Sequence, residues 1–182
     1  MHVIGFDDGP FPRQRGAAAP LVGAVCSGTR FEGLVLGRIR RDGWNATAEI
    51  CRLLLGGKFL PQVRLVMLDG LAFGGFNVVD LPLLAARLRR PCVAVLRRPP
   101  DLAAVENAVR RLPRSEARLA LIDRAGPVHA APPFFFQVQG ADADQVASEL
   151  PRLTDRGHVP EALRLAHLIG GAIVLGQSGR RA

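Results

Sequence analysis

The chain has 182 residues, 48% of them apolar, and its 24 Lys and Arg against 16 Asp and Glu give a formal net charge of +8. This length and apolar content suffice for a sizeable core without disulfides or a structural metal, which excludes a disordered polymer and a small secreted scaffold. The basic excess is almost entirely guanidinium, since Lys58 is the one lysine; planar bidentate donors of this kind suit phosphate or carboxylate, although nucleotide bias produces the same composition and charge also serves solubility.

His2 to Phe6 is a short apolar strand ending in the turn signal Asp7-Asp8-Gly9-Pro10, and residues 9–19 form a loop. Leu21 to Cys26 and Phe31 to Ile39 are β-rich runs joined by Ser27-Gly28-Thr29-Arg30, a hairpin composition. A helix is expected from about Asn45 to Leu55, with Ile50, Cys51 and Leu54 on one face and Gly56-Gly57 as its stop. Val63 to Leu68 is a strand buried on both faces that ends in Asp69-Gly70. Past the glycine-rich LAFGGFN, a helix covers about Val79 to Leu88, with Asp80 as cap and Pro82 in the first turn.

Cys92 to Leu96 is another buried strand, and Asp101 caps a helix whose Leu102, Val105, Val109 and Leu112 form one buried stripe. Leu119 to Ile122 and Phe134 to Gln139 suit strands, the FFF run at 134–136 serving as core or interface, and Asp142 to Leu150 suits a helix. Pro160 starts the last helix, in which Gly170-Gly171 admits a close backbone neighbour. Cys26, Cys51 and Cys92 sit in apolar runs without metal or disulfide spacing and are expected to be core residues in a reducing compartment. There is no signal-peptide pattern and no membrane-length apolar run, so a cytoplasmic protein without a membrane partner is expected.

Nothing marks a domain boundary, and residues 1–182 are expected to form one domain. Its order is three opening strands, the second and third antiparallel, followed by strand–helix crossovers with helices on both faces of a mixed sheet. That α/β order is the one of the ribonuclease H-like fold.

In this topology Asp7, Asp8, Asp42 and Asp69 all fall at element ends that converge. Two carboxylates about 4 to 5 Å apart repel by roughly 3 to 4 kcal/mol at an effective dielectric of 20, so such a group needs a cation or a proton. Oxygen-only ligation selects a hard metal, Mg²⁺ or else Mn²⁺, which would polarise a phosphoryl oxygen and lower the pKa of an attacking water. Each acid taken alone is equally explained as part of an Asp-containing turn. Glu49, in the first helix, competes with Asp42 as a ligand.

VIGFDDGPF, IRRDGWNATAEI, VMLDGLAFGGFNVVDL, VLRRPPDL and PEALRLAHLIGGAIVLGQSGR together resemble the endonuclease dU family, itself distantly similar to endonuclease V, from residue 2 to about residue 181. The resemblance implies a ribonuclease H-like fold and a metal-dependent nuclease acting on DNA at deaminated bases, deoxyuridine above all, which is a repair activity. It further implies that Asp7, Asp42 and Asp69 are the metal-binding acids, with Asp8 an extra acid beside the first. The chain departs from it at Gln177, where the family's pattern carries an acid.

His167, beside the apolar stripe of the last helix, is a candidate to assist the leaving group or orient water, whereas His2, His129 and His158 are expected at the surface. Phe11 is either a wedge at a duplex or a plug beneath its loop, with Arg13 and Arg15 on phosphates. Gly70, Gly74 and Gly75 permit close approach of a base or phosphate, with Phe73 or Phe76 lining a pocket. The pairs Arg40-Arg41, Arg89-Arg90, Arg97-Arg98 and Arg110-Arg111 would track a phosphate backbone, of DNA in the first place with RNA the other candidate. Two further readings remain open: a binding module of the same fold without efficient chemistry, and an aspartate-nucleophile phosphotransferase, which wants an Asp where Gly9 stands.

Overall fold

The computed structural model describes residues 1–179. It opens with β1 (His2–Asp8), β2 (Ala18–Ser27) and β3 (Arg30–Arg40), each antiparallel to the one before. α1 (Ala46–Leu54) leads to β4 (Leu65–Asp69), which lies parallel to β1 with Phe6 beside Leu68. β5 (Ala72–Phe73) and β6 (Asn77–Val78) then form a separate small hairpin. α2 (Leu81–Leu88) crosses to β7 (Cys92–Leu96), parallel to β4, and Asp80 caps α2 by accepting from Leu83 N. α3 (Leu102–Arg110) and α4 (Ser115–Arg124) precede β8 (His129–Ala131) and β9 (Phe134–Gln139), and β9 runs antiparallel to β7. α5 (Ala143–Glu149), a 3-10 turn (Leu150–Leu153) and α6 (Glu161–Leu175) complete the order. The seven-stranded sheet reads β3-β2-β1-β4-β7-β9-β8.

Two cores follow from the period-2 alternation of the buried strands. Ile4, Phe6, Val66 and Leu68 point into a cluster closed by Ile50 and Leu54 of α1 and Leu81, Leu84 and Leu88 of α2. Val3, Leu65 and Met67 point the other way, into a cluster with Val146 of α5 and Ala162 and Leu163 of α6. Helices therefore cover both faces. The three cysteines are free and buried among these side chains, and Phe134 and Phe136 belong to the second core, which settles the FFF run as a core strand.

Several expectations are corrected. Leu119 to Ile122 is no strand but part of α4, where Glu116, Ala117, Leu119 and Ala120 are all good helix formers and the four-residue apolar run carries no period of its own. The α3 stripe is not buried: only Val109 is, and Leu102 is 63% exposed. The stripe instead faces Leu119 and Ile122 across an open groove. The parallel crossovers stop at β7. The β5–β6 hairpin inside the glycine-rich loop carried no strand signal of usable length. Among the described residues no helix is long and apolar enough to cross a membrane.

Candidate active site

The site is assembled where β1 and β4 end side by side. Gly5, Asp7 and Gly9 share the face of β1 that α6 covers, because alternate residues of a strand point the same way. A Cβ at Gly5 would stand 2.6 Å from the carbonyl carbon of Ala162, and one at Gly9 would stand 2.6 Å from the carbonyl oxygen of Gly170. The missing side chains thus let the α6 backbone close onto β1 on either side of Asp7. His167, between those two contacts, brings its Nδ1 to 2.8 Å from Asp7 Oδ2. Asp69 ends the neighbouring parallel strand, and one ligand atom from each of Asp7, Asp69 and His167 falls within 4.8 Å of the others.

This grouping has an electrostatic signature. Burial first, then the charges of Asp69 and Asp8, push the Asp7 carboxyl up to about 8, while the backbone N–H of Asp8 and the guanidinium of Arg97 oppose the shift. Arg97 donates to Asp69 Oδ2 at 2.8 Å from the end of β7 and is itself half exposed. A trio of two carboxyl groups and an imidazole, held close with Arg97 as the neighbouring cation, has the donor chemistry of a divalent-cation site. Its mixed oxygen and nitrogen donors differ from the oxygen-only set expected from the sequence.

Asp8 and Asp42, both expected among the metal ligands, are not in this trio. Asp8 points to the opposite face of β1, where its Oδ2 accepts from Gly74 N at 3.1 Å. Asp42 follows β3 with φ at 52°, and its Oδ1 accepts from Phe76 N at 3.0 Å while its own N–H donates to Gly74 O. Both acids therefore fasten the β5–β6 hairpin. A Cβ on Gly75 would meet Asp42 Oδ1 at 2.5 Å, and φ there is 83°, so the glycine is required by both space and backbone. Glu49 is committed elsewhere, accepting from Arg38 N and pairing with Arg52.

The remaining expected contacts divide. Phe73 is fully buried and cannot line a binding surface; Phe11 packs against the core with the Arg41 guanidinium 5.9 Å from its ring centroid, as a plug. Gly74 is buried, whereas Gly70 has open space on its Cβ side and Gly75, Arg13 and Arg98 are exposed. Gln177 is exposed just beyond α6. His158 is at the surface, His2 pairs with Glu32, and His129 is half-buried against Phe136.

Three residues went unnoticed in the sequence. Asn77 is fully buried, accepts from Ala46 N, and donates to Arg40 O and to Asn45 Oδ1, joining the hairpin to the start of α1. Arg118 is 1% exposed and donates to the carbonyls of Phe76, Pro113 and Asp42. Trp44 lies under the guanidinium groups of Arg114 and Arg118. Only the asparagine inside the GGFN turn offered a signal, as a residue type that bonds locally to backbone.

Comparison with known proteins places the chain. The family model described as endonuclease dU matches residues 1–174. A UPF0215 protein of Methanothermobacter thermautotrophicus is 37% identical over 183 residues, covering 98% of this chain and 90% of the relative. One from Deinococcus radiodurans is 38% identical over 178 residues, covering 97% and 91%. Among solved structures, a protein of unknown function from Archaeoglobus fulgidus superposes with a TM-score of 0.89 at 29% identity, covering 95% of this chain and 98% of that one. Endonuclease V of Ciona intestinalis, solved with a DNA containing an inosine followed by a ribo-adenosine, gives a TM-score of 0.57 at 13% identity, with 91% and 82% covered. That likeness establishes the ribonuclease H-like fold, and the match over nearly the whole length shows that the chain belongs to the endonuclease dU family.

Proposed function

We propose that this protein is a divalent-metal-dependent endodeoxyribonuclease that hydrolyses a phosphodiester near a deaminated base, deoxyuridine in the first place, in the repair of such lesions. The observation that carries the reading is the convergence of Asp7, Asp69 and His167 within 4.8 Å at the tips of two parallel strands. These three residues would hold Mg²⁺ or Mn²⁺, the two carboxyl groups suiting either ion and the imidazole favouring manganese. When bound, the cation supplies Lewis-acid polarisation of a phosphoryl oxygen and acidifies water.

The chain's own groups account for the rest. Arg97, paired with Asp69 and half exposed, is placed to donate to a non-bridging oxygen of the same phosphate. Gly70, next to Asp69, leaves the space on its Cβ side open, so no side chain of its own stands between a substrate and that acid. Asp8 and Asp42 act at one remove, as positioning residues that fix the hairpin bordering this space.

The test is cleavage of labelled oligonucleotides containing uracil, hypoxanthine or only normal bases, with Mg²⁺, Mn²⁺ or chelator, using wild type beside Asp69→Ala. Metal-dependent cuts at the uracil strand that vanish in the variant are expected. Full cleavage by Asp69→Ala overturns the reading. Salt-sensitive binding without cleavage in any metal assigns the fold to a binding module instead.

A further inference from the structure

On the far side of the β5–β6 hairpin from the acidic trio lies a cavity of about 560 Å³ between the loop after β1 and the β3–α1 connection, lined by Arg15, Arg40, Arg41, Asp42 and Trp44. Three guanidinium groups thus border one space. Asp42 is the one acid among its described lining residues, and its Oδ1 already accepts from Phe76 N.

Arg41 is the informative member. Its Nε and one terminal nitrogen are buried without a hydrogen-bond partner, and its charge is offset by an ion pair in which Nε stands 3.4 Å from Asp42 Oδ2. Buried charged donors are normally paired, because leaving one unpaired forfeits its hydration with nothing in return. The guanidinium also lies 5.9 Å from the Phe11 ring centroid, and 27% of the side chain is exposed, so part of it reaches the cavity surface. Arg118 and Arg114 stand 4.2 and 4.5 Å from the Trp44 ring centroid, and burial together with the charges of Arg15 and Arg114 pushes the Arg118 guanidinium down from its ordinary value. Two arginines therefore stand over an indole that is 40% exposed, and three more line the cavity it borders.

We infer that this cavity binds a phosphodiester group of a nucleic-acid strand, with Arg41 and Arg15 on the phosphate and the exposed edge of Trp44 in contact with an adjoining base. The inference rests on the nuclease reading for the identity of the strand. Arginine forks match phosphate bidentately, and an aromatic ring beside a basic groove adds contact that tolerates any base. The hairpin makes the geometry coherent, since its Gly74 N–H is held by Asp8 beside the acidic trio and its Phe76 N–H by Asp42 at the cavity.

Trp44 is the sole tryptophan and the chain has no tyrosine, so intrinsic emission reports on the surroundings of this one residue, which borders this cavity and a neighbouring one beside Thr47 and Leu121. A labelled single-stranded oligonucleotide is titrated in chelator, following label anisotropy and Trp44 emission together, across a salt series. The expected result is an emission change that saturates with the anisotropy. Arg41→Gln should bind about tenfold more weakly, as for loss of a charge-assisted bond. Arg15→Gln, at an exposed position that carries no folding risk, should lower the salt slope by about 0.7, the value for one phosphate on a single strand. Constant Trp44 emission while anisotropy saturates overturns the inference, as does an unchanged affinity and salt slope in both variants. Inorganic phosphate and a mononucleotide are the remaining arms: a saturating emission change with either at micromolar concentration assigns the cavity to a small free ligand and overturns the strand assignment. Absence of uracil-directed cleavage with oligonucleotide binding intact overturns the nuclease reading alone and leaves the cavity standing.

Discussion

Asp7 and Asp8 are adjacent on one strand, yet the first turns toward α6 and the second toward the β5–β6 hairpin. On the α6 face, two glycines draw a helix backbone onto the strand and three polar ligand atoms crowd together with one arginine near. On the hairpin face, Asp8 and Asp42 each accept a backbone N–H, and every carboxylate has a protein donor. Burial raises both carboxyls and a backbone N–H opposes each shift, but the charge of Asp69 is the second cause at Asp7, which is pushed up to about 8. Neighbouring acids of identical chemistry thus become a ligand on one face and a structural clamp on the other. What separates them is the company each carboxylate keeps, since both accept a backbone N–H but Asp7 also faces Asp69 and His167 while Asp8 faces the hairpin backbone.

The sharpest way to break this contrast is to remove one acid from each face. Asp7→Asn should abolish divalent-cation binding, by more than about a thousandfold in calorimetry, because it removes a charged ligand outright, while Asp42→Asn should change it by less than about tenfold, as expected of a group outside the ligand shell. Equal losses in both would erase the distinction. Next in size is Gly9→Val, whose side chain would collide with the Gly170 carbonyl. Overpacking of this kind should cost about 3 kcal/mol in chemical denaturation and weaken cation binding by lifting His167 off Asp7. On the hairpin face, Gly75→Ala meets both a positive φ and the Asp42 oxygen and should cost about 2 kcal/mol, with cation affinity held. A shift of cation affinity in Gly75→Ala as large as that in Gly9→Val would show that the two faces are coupled.

The sequence made one face far more legible than the other. Asp7 and Asp69 were found because each ends an apolar strand, and His167 because it borders a helical stripe; each signal is periodic and local. The glycine pair at 170 and 171 announced a close contact but not its partner, Gly9. Asp42 was expected to aim at the strand ends, and nothing in a sequence tells that a residue in the left-handed region turns its carboxylate to a hairpin instead. Arg118 was invisible for a related reason: its burial depends on three carbonyls contributed by residues 76, 113 and 42. The α4 segment was misjudged because four apolar residues fit a strand as well as a helix, and only the flanking helix formers decide.

The last prediction concerns protons. With the Asp7 carboxyl at about 8 in the cation-free protein and at its ordinary value of 3.8 when unfolded, the folded state binds the extra proton across that interval. Stability therefore falls as pH rises from about 4 to about 8, and is level above, by the linkage between proton uptake and unfolding. A cation at the trio must displace this proton, so binding at pH 7 should release close to one proton, read as the dependence of calorimetric heat on buffer ionisation enthalpy. Affinity should then rise by about 1.4 kcal/mol for each pH unit as pH climbs toward 8, and plateau above it. Asp8→Asn should move that plateau to lower pH, because the Asp8 charge is one of the causes that raise Asp7. Asp42→Asn should leave it in place, since Asp42 is not among those causes. A plateau that moves with Asp42 instead would mean that the hairpin-side carboxylate shares the field of the ligand site, and the division between the two faces would fail on electrostatics even if it held on geometry.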